Sequence, residues 1–184
     1  MMQHQKITDH AGQVPSDVEA LLAEMAGAAP GYESERMRLL LARVTLDNGF
    51  QFQGLCDCEG NIWEANHTAL LGAGLVRSHI HGKPFWEARW WQSSEAAQKQ
   101  LESGLKTAAK GEFVRYDTVI YGGEGGTQTI VIDFSVRPAF DSQGNPRFLV
   151  VEGRDVTEQR RLEQAVAQQR QQLAGAVARL LRIT

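Results

Sequence analysis

The stretch FLVVEGRDVTEQRRLEQ, residues 148–164, changes its periodicity part-way along. Phe148–Gly153 is a short apolar run after the turn signal DSQGNP (141–146), which reads as a strand. From Glu158 to Thr184 there is no proline and one glycine, and Leu162, Val166, Gln169, Leu173, Ala176 and Leu180 recur at alternating four- and three-residue steps. That is the spacing of a heptad seam, and it predicts a C-terminal helix that either pairs as a coiled coil or docks on its own domain. Asp155 and Thr157 stand between strand and helix, where side-chain oxygens can cap the first amides of the helix. A strand that runs directly into a long, narrow-seamed helix is the feature around which the rest of the chain arranges itself.

Upstream, FVRYDTVIY (113–121) and TQTIVIDFSVRPAF (127–140) are strand-like and flank the glycine-rich GGEGG (122–126), so the C-terminal half reads as an antiparallel meander. SSEAAQKQLESGLKTAAKG (93–111) places Ala97, Leu101, Leu105 and Ala108 on one side of a helix that ends at Gly111. Earlier still, FQFQGLC and IWEAN are joined by the tight turn DCEGN, which predicts a hairpin. Before it come two amphipathic helical stripes. Ser16 and Glu19 form a capping box ahead of Val18, Leu21, Leu22 and Met25, and Met37, Leu40, Leu41 and Val44 repeat the spacing. The order hairpin, short helices, longer helix and three strands is an α+β arrangement around one sheet.

The 184 residues hold 42% hydrophobic and 22% charged side chains, with 18 glycines and 5 prolines, which is globular and not disordered composition. Nineteen basic against 22 acidic residues leave a net charge of -3, so no global positive field points to nucleic acid or an anionic membrane. No apolar run reaches the ~18–20 residues of a membrane span. The only cysteines, Cys56 and Cys58, are too close for an ordinary bridge, which fits a reducing, cytoplasmic compartment.

EANHTALLGAG after the second strand, GKPFWEARWW before the long helix and GRDVTEQRRLEQ entering the tail together resemble the PAS sensor family, particularly modules of bacterial sensor histidine kinases and diguanylate cyclases. The most specific pieces are Glu64-Ala65-Asn66, Gly82-Lys83-Pro84-Phe85-Trp86 and Asp155-Val156-Thr157-Glu158. The resemblance implies a five-stranded antiparallel sheet with short helices on one face, an internal pocket, and relay of a small-molecule or redox signal through Gly153, Asp155 and Thr157 to the C-terminal coiled coil. It divides the chain into an N-terminal helical extension (1–44), a PAS sensor domain (45–157) and a signalling helix (158–184). The implied partners are a second copy of the chain, paired along Leu162, Val166, Leu173 and Leu180, and a kinase or cyclase output domain lying outside this chain.

Pocket candidates are Phe85, Trp86, Trp90 and Trp91 from the aromatic cluster and Ile132, Phe134 and Val136 from the apolar face of the penultimate strand. They either line a site for a small apolar or aromatic ligand or simply fill the core. Phe85 stands where the photoreceptive branch of the family carries its reactive cysteine, and Gly153 lies near that branch's switching glutamine, which argues against flavin. The long helix carries no histidine, and His67, His79 and His81 sit at a helix start or beside a glycine, which argues against haem. His79-Ile80-His81 and Cys56-Asp57-Cys58 each lack the further ligands of a tetrahedral site, so no metal site is assigned. No catalytic residues are assigned either: GGEGG lacks the lysine and hydroxyl of a phosphate loop, and an acid–base pair of Glu64 and His67 is the one enzymatic arrangement worth testing.

Overall fold

The computed structural model describes residues 17–28 and 34–181. The chain divides into two compact units that meet at Asp47 and Asn48. The first contains helices α1 (Asp17–Ala26) and α2 (Glu35–Asp47), packed as a hairpin. The hydroxyl of Ser34 accepts from the amide of Met37 at 3.0 Å and donates to Glu24 at 2.8 Å, so one side chain caps α2 and ties it to α1. Leu21 and Met37 are the residues buried in this unit, among those described. The predicted capping residue Ser16 lies outside the described residues.

The second unit opens with the predicted hairpin, β1 (Phe52–Asp57) and β2 (Ile62–Ala65). The turn is held by Asp57, whose carboxylate accepts from the Asn61 amide at 2.8 Å and from the Asn61 side chain at 3.0 Å. Gly60 in this turn has φ +88° and faces Trp86, leaving no room for a Cβ, so conformation and space both require glycine. Helices α3 (His67–Ala73) and α4 (Arg77–Ile80) follow, then two single 3₁₀ turns at Phe85–Glu87 and Arg89–Trp91, then α5 (Glu95–Ala108). Ser94 caps α5 by accepting from the Ala97 amide at 3.1 Å, and α5 buries the predicted stripe of Ala97, Leu101, Leu105 and Ala108.

Strands β3 (Val114–Tyr121), β4 (Thr129–Phe140) and β5 (Pro146–Asp155) complete an antiparallel five-stranded sheet in the order β2-β1-β5-β4-β3. On β4 the alternation puts Ile130, Ile132, Phe134 and Val136 inward, opposite the short helices. The GGEGG segment does connect β3 to β4, but it is more than a hairpin turn. It lies against α3, where a Cβ on Gly126 would stand 2.5 Å from the Ala73 carbonyl, and Arg89 donates to the Gly126 carbonyl at 2.9 Å. The chain ends in α6 (Thr157–Leu181), one continuous helix that starts a residue before the predicted boundary.

Candidate functional site

Two inward positions of the sheet carry no side chain. Phe52 pairs with Gly153 and Gly54 pairs with Val151 between β1 and β5, so the glycines lie diagonally on the inner face. Across from them, the 3₁₀ turns deliver Phe85, Trp90 and Trp91, all buried. Between these surfaces is an apolar cavity of about 40 Å³. Its aromatic wall is interlocked: Phe85 stands edge-on to Trp90 (5.8 Å) and Trp91 (5.5 Å), and Trp91 edge-on to Phe134 (4.9 Å). Trp90 is fixed further by its indole N–H, which donates to the Ala69 carbonyl at 2.9 Å. The indole N–H of Trp91 and the hydroxyl of Tyr116 are buried without a hydrogen-bond partner among the described residues, and burial pushes the Tyr116 phenol well above its ordinary range.

Cys56 belongs to the cavity wall, and burial, with the Asp57 carboxylate adding to it, pushes its thiol up to about 12. A thiol so held is neutral and behaves as a small apolar side chain. Cys58 points elsewhere, its Sγ lying 3.4 Å from the Pro146 carbonyl, and among the described residues no cluster of three metal-binding side chains exists. No histidine lines the cavity among the described residues. His79 and His81 are exposed, and His81 Nδ1 lies 3.0 Å from the Trp63 carbonyl. The carboxylate of Glu64 accepts from the Arg77 guanidinium at 2.6 Å and from the Ala65 amide at 2.9 Å. Both are structural contacts for the acid of the conjectured acid–base pair.

The second element of the site is the junction of β5 with α6. Val156 donates its amide to the Val131 carbonyl on β4 at 2.9 Å, and Thr157 Oγ1 accepts from the Val131 amide at 2.9 Å. Asp155 accepts from the Thr157 amide at 2.9 Å. One turn later the Arg160 guanidinium donates to Asp117 on β3 at 2.6 Å and to Glu163 at 2.9 Å. The helix start is therefore held to two neighbouring strands.

Cavity, sheet order and junction agree with a comparison of sequences: a family model for the PAS fold matches residues 47–161. The chain belongs to the PAS family. It is 41% identical over 150 residues to the sensor histidine kinase TmoS of Ectopseudomonas mendocina, covering 82% of this chain and 15% of that protein. It is 44% identical over 119 residues to the hybrid signal transduction histidine kinase D of Dictyostelium discoideum, covering 65% of this chain and 8% of that one. The PAS chain thus spans less than a sixth of the length of these relatives. Among solved structures, the PAS domain of Bordetella pertussis BvgS superposes with a TM-score of 0.53 at 22% identity, covering 73% of this chain and 98% of that one. A PAS domain from Colwellia psychrerythraea gives 0.53 at 15% identity, covering 66% and 98%. At these identities the structures speak for the fold.

Within this PAS domain, five of the seven pocket candidates, Phe85, Trp90, Trp91, Ile132 and Phe134, come together around the cavity. Two do not. Val136 is fully buried but one inward position too far along β4, and Trp86, outside the cavity lining, lies over Gly60. The junction also differs in one respect: Asp155 caps as expected, whereas Thr157 bonds to β4 as well as opening the helix, so its hydroxyl links helix to sheet. Gly153, singled out for relay, lines the cavity as well. Phe52, Ile120 and Val151 are wall residues that sequence reasoning missed, because each came from a strand read for its existence and not for its register. The register pairing Phe52 with Gly153 exists only once β1 and β5 lie side by side.

Proposed function

We propose that this chain is the sensory and dimerisation module of a larger cytoplasmic signalling protein. Its cavity takes a small apolar or aromatic molecule, and the signal passes through Gly153, Asp155 and Thr157 into α6. Two copies of α6 pair along Leu162, Val166, Leu173 and Leu180 and act on a histidine kinase or cyclase output domain, in the same chain or another. The observation that carries this reading is continuity: β5 forms cavity wall with Val151 and Gly153 and then runs without interruption into α6. A change in the wall has a short, hydrogen-bonded route to a helix whose splay or register is a two-state output. Leu162, Val166 and Leu173 are 54%, 47% and 68% exposed, as a seam awaiting a partner helix would be; the side chain of Leu180 lies outside the described set. The names of the kinase relatives support the output, and the apolar wall, the small volume and the positions of the histidines argue against haem and flavin. The module itself is read as non-catalytic, without nucleic-acid partners.

The cavity's size favours a second reading. At about 40 Å³, against roughly 300–1,000 Å³ for drug-sized ligand pockets, the aromatic cluster also serves as a plugged core in a ligand-free dimerisation module. Native mass spectrometry of the purified chain, alone and with fluorobenzene, separates the two. The sensor reading expects a dimer that gains the probe's mass, and Leu173→Asp should give a monomer that still gains it. A dimer without probe uptake favours the interaction module, and a dimer that survives Leu173→Asp overturns the α6 seam.

A further inference from the structure

Any occupant larger than a few atoms must displace part of the cavity's wall. The four other aromatic rings of the wall cannot yield separately: Phe85, Trp90 and Trp91 opposite the sheet and Phe134 on β4 are all buried and held edge-to-face, and Trp90 is hydrogen-bonded to α3. Phe52 is different. Among the described residues it is the one large apolar wall residue that is only half-buried, and it lies in a slot between two glycines. A Cβ on Gly153 would stand 3.4 Å from one edge of its ring, and a Cβ on Gly72 of α3 would stand 3.5 Å from another. On those two edges the ring meets backbone that carries no side chain, so movement in that direction has none to displace.

Gly153 bears on the same space from the sheet side. Its backbone does not require glycine, since its φ is not positive, yet a methyl group there would lie 3.2 Å from Ile132 Cδ1 as well as against Phe52. Alanine would keep the strand and narrow the cavity. The charged residues of the wall are Glu64, whose carboxylate is already bonded to Arg77 and the Ala65 amide, and Glu152, which alternates off the inner face between Val151 and Gly153, so neither is left to compensate an ionised ligand for its lost hydration.

We infer that Phe52 is the movable wall through which ligands enter, that the absence of a side chain at Gly153 sets the size accepted, and that the ligand is an uncharged apolar molecule of about one ring. This rests on the sensor reading above and deepens it. It also gives the relay a starting point, because Phe52 and Gly153 are cross-strand partners and Gly153 lies two residues before Asp155.

The test uses the full chain, with fluorine NMR of fluorobenzene and calorimetry with naphthalene as a two-ring probe. Wild type, Phe52→Ala and Gly153→Ala are compared, with melting curves and near-ultraviolet dichroism showing that each is folded. Gly153→Ala should weaken fluorobenzene binding at least tenfold. Phe52→Ala should retain fluorobenzene and bind naphthalene at least tenfold more tightly than wild type. Binding by Phe52→Ala alone would also support the inference, since it identifies the ring as the barrier. Equal binding of both probes by all three proteins would overturn the roles of Phe52 and Gly153 while leaving the sensor reading standing. No binding by any of them, all folded, would overturn the sensor reading and this inference with it.

Discussion

Asn66 has no exposed surface, and its side chain bonds to three backbone groups. Its Oδ1 accepts from the Ala69 amide at 3.1 Å, capping α3, and from the Gln53 amide at 3.0 Å, while its Nδ2 donates to the Gln51 carbonyl at 2.8 Å. Its own amide donates to the Gln53 carbonyl at 2.8 Å. One residue thus joins the start of β1, beside Phe52, to the helix that closes the other side of the cavity. Asn66→Ala would leave buried backbone groups unpaired, and each such group costs about 1–3 kcal/mol. The expected result is a fall in unfolding free energy of about 2–4 kcal/mol, read from the urea midpoint at unchanged slope. A loss below the range of an ordinary exposed helix cap would show that water replaces these bonds. In the sequence Asn66 was legible as a residue before a helix and as part of Glu64-Ala65-Asn66; its tie to Gln51 and Gln53 was not, because their approach depends on how β1 and β2 pair.

At the scale of elements, α6 depends on the sheet only at its first turns. Beyond Glu163 its described side chains are exposed, so its position on the domain is set by Val156, Thr157 and Arg160. The Arg160–Asp117 pair lies at the surface, and exposed ion pairs contribute little. The Thr157 hydroxyl is the better fastening, since it satisfies the Val131 amide. Thr157→Val keeps the shape and removes the acceptor, which should cost about 1 kcal/mol and speed amide hydrogen exchange at Val131 and in the first turn of α6. Thr157→Ser should restore protection. Equal exchange in wild type and valine variant would mean that the hydroxyl does not hold the helix to the sheet.

At the scale of the molecule, several carboxylates are held below their ordinary values by hydrogen bonds made only in the folded chain. Asp133 is lowered chiefly by the Arg115 guanidinium, Asp141 by the Asn145 amide, and Glu163 by Gln159 and Arg160. For Asp57, burial acts upward, but the bonds from Asn61, Trp63 and the turn outweigh it. A lowered folded value means that each group adds stability above its unfolded value, 3.8 for an aspartate, and loses it as the pH falls through the folded value. The thermal midpoint should therefore hold from neutral pH to about pH 5 and drop progressively below pH 4. Asp133→Asn should flatten part of that drop. A midpoint unchanged between pH 5 and pH 2 would contradict this reading.

The sequence by itself determined the α+β order, the five strands and the inward face of β4, the buried stripe of α5 and the strand-to-helix passage at Asp155–Thr157. Those are local patterns, in which side-chain period, turn residues and caps act over a few positions, and the aromatic cluster at 85–91 was visible for the same reason. Only the tertiary structure decided which aromatics share the cavity. Trp86 and Trp90 differ by four positions, yet successive 3₁₀ turns send one over the β1–β2 turn and the other into the core. It alone decided, too, that Phe52 and Gly153 face each other and that Thr157 reaches β4. Those contacts join residues far apart in the chain, and their energy is gained only after the sheet's register has brought them together.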